Sequence, residues 1–200
     1  MPSQSSYSSR RVARDFLRRI REVYKLVTAS ELSDAWLGHD VLIVGHGVSP
    51  SSRRGQPVLL SNGMYLNVEL TLRVYRSPVP RLETVRATYS YQAGNLPHDL
   101  RPVFSYQFDR ETRFPYPRCH LHVYASPTGY AQDRAFSRLH LPTRRITLEQ
   151  IVWHLIQDHG VQPRRPDWHH VLWRHETRFR DTQRTQPWPY DPPFPPPDST

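Results

Sequence analysis

Residues Met64 to Tyr75 alternate between apolar and polar side chains without a break. Met64, Leu66, Val68, Leu70, Leu72 and Val74 fall on one side; Tyr65, Asn67, Glu69, Thr71, Arg73 and Tyr75 fall on the other. A period of two over that length marks an extended strand with one face buried and the other wet or covered by polar contacts. Around it the chain reads as further strands. Val41 to Val48 is a short apolar run interrupted by Gly45-His46-Gly47, and residues 49–55 form a flexible basic loop. Val58 to Leu60 leads into Ser61-Asn62-Gly63, a hairpin signal. Beyond the break at Ser77-Pro78-Val79-Pro80, Val85, Ala87, Tyr89 and Tyr91 alternate with Arg86, Thr88 and Ser90. Gly94 to Pro97 turns the chain, and Val103 to Phe108 sets Phe104, Tyr106 and Phe108 on one face. A last strand runs from Phe136 to Leu141 and is stopped by Pro142.

Helices bracket these strands. Val12, Phe16, Ile20, Val23 and Val27 recur at helical spacing, which predicts an amphipathic helix over roughly residues 8–29. Arg10, Arg11, Arg14, Arg18, Arg19 and Arg21 crowd it. Ser30 can cap a short second helix, Glu31 to Leu37, with Gly38 ending it. In the last third, Thr147 has the spacing of an N-cap, Leu148, Ile151, Val152, Leu155 and Ile156 make an apolar stripe, and Gly160 follows the last turn. Another helix starts near Pro166-Asp167, with Trp168, Val171, Leu172, His175 and Phe179 on its inner face. The expected fold is therefore α+β: an antiparallel meander of five to seven strands, a basic N-terminal helix, and two C-terminal helices packed on one face. The expected organisation is a disordered start over residues 1–8, one domain over 9–181, and a proline-rich tail over 182–200 that favours polyproline II.

Charge narrows the partners. The formal net charge is +9, and Lys25 is the only lysine among 27 basic residues. Arginine carries a planar fork of donors suited to phosphate, so nucleic acid is an expected partner. On the helix, Arg11, Arg14, Arg18 and Arg21 are the candidate contacts; the alternative is a packed helix whose solvated face is arginine-rich. Tyr65, Arg73, Tyr75, Arg86, Tyr89 and Tyr91 interleave in the same way, as a base-stacking sheet or as ordinary cross-strand packing. The N-terminus has no apolar signal core and no run spans a bilayer, so a cytoplasmic protein without membrane contact is expected. Cys119 is the only cysteine, which excludes an internal disulfide and a zinc site built on several cysteines.

Chemistry concentrates between Arg118 and Ala125. Cys119, Leu121, Val123 and Ala125 share the core side of a strand, and His120, His122 and Tyr124 share the other. His140 joins them if the last strand is a neighbour. Imidazoles can trade protons near neutral pH, as RNA cleavage through the 2′-hydroxyl requires, or bind a divalent metal. His120, His122, Tyr124 and Asp109 are the candidate catalytic group, with Asp109 or Glu111 orienting a ring. Arg113 and Arg118 are placed to hold phosphate. The sequence names no cofactor and commits no residue to a metal. His46 reads as a turn residue, and His175, on an apolar stripe, as a core histidine.

Phe104-Ser105-Tyr106-Gln107-Phe108-Asp109, then Cys119-His120-Leu121-His122, then Thr147 to His159 follow one another in an order that resembles the TumE-like proteins, small bacterial toxins of toxin–antitoxin modules. In that family an aromatic strand ending in an acid precedes a histidine-rich strand and an amphipathic helix. The resemblance implies a toxin-like nuclease with an antitoxin partner. The expectation is a protein that binds or acts on nucleic acid, RNA above DNA, within a toxin–antitoxin or defence module. The alternative is a non-catalytic adaptor or complex subunit docking through its arginine-rich helix or its proline-rich tail.

Overall fold

The computed structural model describes residues 4–76, 79–94, 100–111, 117–124 and 140–182. Helix α1 (Gln4–Tyr24) is followed by strands β1 (Ser33–Leu37), β2 (Val41–Gly45), β3 (Val58–Leu59), β4 (Tyr65–Tyr75), β5 (Arg81–Ala93), β6 (Arg101–Asp109), β7 (Cys119–Val123) and β8 (Leu141–Pro142), then helices α2 (Leu148–His159) and α3 (Trp168–Thr182). All the strands belong to one antiparallel sheet in the order β1-β2-β4-β5-β6-β7-β8, with β3 pairing β4 off that path. Among the described residues the α+β class and the three helices are as expected, and the sheet has eight strands.

The added strand is β1. The segment expected to continue as a short helix pairs along its whole length with β2, from Ser33 opposite Gly45 to Leu37 opposite Val41. A helix that short is costly to nucleate alone, whereas pairing satisfies its backbone on β2. Gly38 closes the hairpin turn at φ 69 rather than a helix end. Helix α1 begins inside the stretch expected to be disordered and stops at Tyr24, short of residue 29. Pro142, taken as a stop, lies within β8, a two-residue strand where a missing donor costs little. The strand expected over Phe136 to Leu141 falls mostly outside the described residues, as do the turn near Gly94-Asn95-Leu96-Pro97 beyond Gly94, Arg113, Ala125 and the tail from residue 183.

The three helices cover one face of the sheet. Ala13, Leu17 and Ile20 of α1, Ile151, Val152 and Leu155 of α2, and Val171 and Leu172 of α3 bury against Leu66, Val68, Leu70 and Leu72 of β4 and Ala87, Tyr89 and Tyr91 of β5. Each fully buried leucine there contributes about 2–3 kcal/mol relative to an exposed one. Helix α2 is held at both ends: Thr147 Oγ1 accepts from Gln150 N at 3.1 Å, and Gly160, at φ 67, donates its N–H to Leu155 O. Of the tyrosines in the expected stacking surface, Tyr65, Tyr89 and Tyr91 are buried, and Tyr75 is half-buried with Arg81 over its ring.

The opposite face is polar over β4 to β7. Cross-strand pairing stacks it in rungs: Arg86 with Asp109, Thr88 with Gln107 and His120, Ser90 with Ser105 and His122. Ser90 and Ser105 hydroxyls meet at 2.9 Å in the middle of it. Among the described helices none is long and apolar enough to cross a membrane.

Candidate functional site, a cluster of three histidines

Period two puts His120 and His122 on one face of β7, as the sequence indicates, but on that face they are buried, at 1% and 7% exposure. Their partners across β6 are Gln107 and Ser105, both on the polar face. Cys119, Leu121 and Val123 lie opposite Phe108, Tyr106 and Phe104 on the helix-covered face, half-buried rather than fully enclosed. The expected faces are therefore correct, and the expected wet and dry sides are not. The reason is β8. Its pairing sets Pro142 opposite His120 and Leu141 opposite Leu121, and continuing that register by one residue brings His140 level with His122.

The three rings close on one another. Ring centroids are 4.9 Å apart for His120 and His122, 4.8 Å for His120 and His140, and 4.4 Å for His122 and His140, all edge to face. One ligand nitrogen from each ring falls within 4.8 Å of the others. His120 Nδ1 donates to Pro117 O at 2.7 Å. A carbonyl can only accept, so the proton of the neutral ring sits on Nδ1 and the Nε2 lone pair is turned away from that bond. Burial holds the His120 imidazole below the usual histidine range; the Pro117 carbonyl and the Asp109 charge act the other way, and His140 adds to the depression. Tyr124 stacks on His122 with centroids 5.9 Å apart and planes at 22°, and burial raises its phenol.

Asp109 does not orient a ring. Arg86 Nη2 donates to its Oδ2 at 3.0 Å and the Glu111 N–H donates to its Oδ1 at 3.1 Å. Glu111 is itself engaged by Arg73 at 2.6 Å. The backbone carbonyl of Pro117 has the orienting role that was expected of a carboxylate. Asp109 N donates to Arg118 O at 2.9 Å, so Arg86, Asp109 and Arg118 make a charged rung next to the one carrying His120.

The helix arginines are elsewhere. Arg11, Arg14 and Arg18 are exposed on α1, on the side of the molecule away from the three histidines. Arg21 is not part of that surface: its Nε donates to Leu32 O at 2.9 Å and its Nη2 to Asp34 Oδ1 at 2.5 Å, which ties α1 to β1. Arg113 lies outside the described residues. His175 is buried against Glu22, Nε2 to Oε2 at 2.8 Å, and His46 Nδ1 donates to the Glu31 carbonyl at 3.0 Å. His154 and His159 approach at 3.3 Å on the helix side, over Phe104, with Asp158 on His154 at 2.5 Å.

Sequence reading missed a second polar cluster, between the helices and the sheet. Glu149 is 3% exposed and Glu176 is fully buried, beside Arg19, with Arg180 also near Glu176. Thr147 Oγ1 donates to Glu176 Oε2 at 2.7 Å and Gln150 Nε2 to Oε1 at 2.7 Å. A cavity of about 30 Å³ lined by Arg19, Tyr89, Arg145 and Glu149 leaves room for water rather than a substrate. Burial and the Glu176 charge push the Glu149 carboxyl up to about 7. In the sequence Glu149 reads as an ordinary acid in a first helical turn, which gives no signal of its burial. No family model matches this chain, and neither a curated protein nor a solved structure matches it.

Proposed function

We propose that the protein binds and acts on nucleic acid, RNA above DNA, with His120, His122 and His140 as its reactive centre. The observation that supports this is the position of His120 one rung, and of His122 and His140 two rungs, from Arg86 and Arg118 on a single sheet face. Phosphodiester cleavage needs cations to hold the phosphate and a group that generates a nucleophile at neutral pH. The rung Arg86–Asp109–Arg118 offers the first and the imidazoles the second. Arg11, Arg14 and Arg18, on another side of the molecule, would add sequence-independent contacts to the backbone. A toxin-like nuclease with a protein antitoxin is the form of this function that the resemblance to TumE-like proteins suggests.

The test is cleavage of labelled single-stranded RNA by purified protein, beside a salt titration of binding. The double variant His120→Ala, His122→Ala should lose cleavage by at least about 100-fold while retaining salt-sensitive binding. A double variant that cleaves as well as wild type overturns the catalytic reading. Failure of the wild type to bind RNA or DNA at low salt overturns the partner class. The second reading, a non-catalytic nucleic-acid adaptor, is favoured by the 1% exposure of His120, which restricts a polymer's access to it. It predicts binding by wild type and double variant alike, with cleavage by neither.

A further inference from the structure

We propose that His120, His122 and His140 bind one divalent first-row transition cation, zinc in the first instance, with a fourth position that none of the described residues fills. Donor chemistry selects the class. Three imidazoles suit zinc, copper, nickel or cobalt, whereas magnesium and calcium take oxygen ligands. Among the described residues, no carboxylate or thiolate joins the three: Asp109 is held by Arg86 and Glu111, and Cys119 lies on the other face of the sheet.

Geometry agrees. Nitrogens bound at 2.0–2.1 Å around a tetrahedral ion lie about 3.4 Å apart. The three nitrogens lie within 4.8 Å of one another before any ion draws them in. Two come from one strand at i and i+2, which fixes their separation, and the third precedes the two-residue β8 at the sheet edge, where small adjustment is easy. The Pro117 carbonyl adds a feature that a proton-trading pair does not need. A histidine that ligates through Nε2 commonly donates Nδ1–H to a carbonyl, and His120 makes that bond at 2.7 Å. A water at the open position would be acidified by the ion and could serve as the nucleophile. The inference deepens the function proposed above, and rests on it for that role of the water alone.

The test uses the full chain, stripped with a chelator and titrated with cobalt(II), then with zinc(II) against a chromophoric competitor. The expected result is one ion per chain, an intense visible cobalt band of tetrahedral type, and its displacement by zinc. His140→Ala, at the half-buried position, should weaken zinc binding at least 100-fold with the circular dichroism spectrum unchanged. His122→Ala provides a second arm should that variant misfold. The proposal is overturned if cobalt gives no such band, or if folded variants bind as wild type does, which would move the ion to other histidines. RNA cleavage that persists after chelation would support the function above and overturn the role given to the bound water. Stoichiometric zinc binding without cleavage would support this site and overturn the function above.

Discussion

Two buried polar clusters sit on opposite sides of one sheet, and their compositions differ. On the helix side Glu149 and Glu176 meet Arg19, and Glu176 also Arg180, with Thr147 and Gln150 donating to Glu176. On the far side His120, His122 and His140 are three groups of one kind. A cluster of mixed sign can balance its charge internally. Three imidazoles cannot, because a proton taken by one disfavours a proton on the next. Depth of burial therefore does not distinguish the two clusters; chemical composition does.

The sharpest test of that difference is the pH dependence of Glu149. Its carboxyl is raised from an ordinary value of 4.5 to about 7, so the native state holds a proton that the unfolded chain releases. The associated stability is complete below pH 4.5 and is lost as pH rises toward 7. Glu149→Gln should match wild type near pH 4 and exceed it at pH 8 by on the order of 3 kcal/mol, in urea melts at each pH. Equal pH slopes for the two proteins would remove Glu149 from the comparison.

Thr147→Ala should cost about 1–2 kcal/mol, since it removes both the cap of α2 and a donor to Glu176. The midpoint of urea unfolding reads it, and metal binding at the far cluster should not move. His140→Ala should show the opposite pattern: a stability change under about 1 kcal/mol for a half-buried ring, with loss of the metal or of cleavage. A large stability loss with function intact would make the far cluster a scaffold like the near one. Arg18→Ala should change stability by less than about 0.5 kcal/mol, its partner Asp15 being an exposed neighbour on the same helix. If α1 contacts nucleic acid, the same variant lowers the salt slope of binding by about 0.9.

The parts that could be read from the chain are those with a strong local signal. The alternation of Met64 to Tyr75 gives β4, the cap residues Thr147 and Gly160 bound α2, and period two assigns His120 and His122 to one face. Signals that local pattern could not resolve went the other way. Ser33 to Leu37 became a strand because β2 lay beside it. Arg21, one cation among several on α1, was claimed by Asp34. Glu149, an apparently exposed acid, was buried by α3 and Arg19.

By itself the sequence determined an α+β chain with a cationic N-terminal helix and two imidazoles on one strand face, because periodicity and charge are properties of neighbouring residues. Tertiary structure alone decided that His140 completes the group, that Pro117 rather than Asp109 orients His120, and that the arginine helix stands apart from them. Those facts depend on the pairing of β7 with β6 and β8, which joins residues distant along the chain. Alternation within a strand restricts which face can be buried, but it does not say which distant segment will pair with that strand.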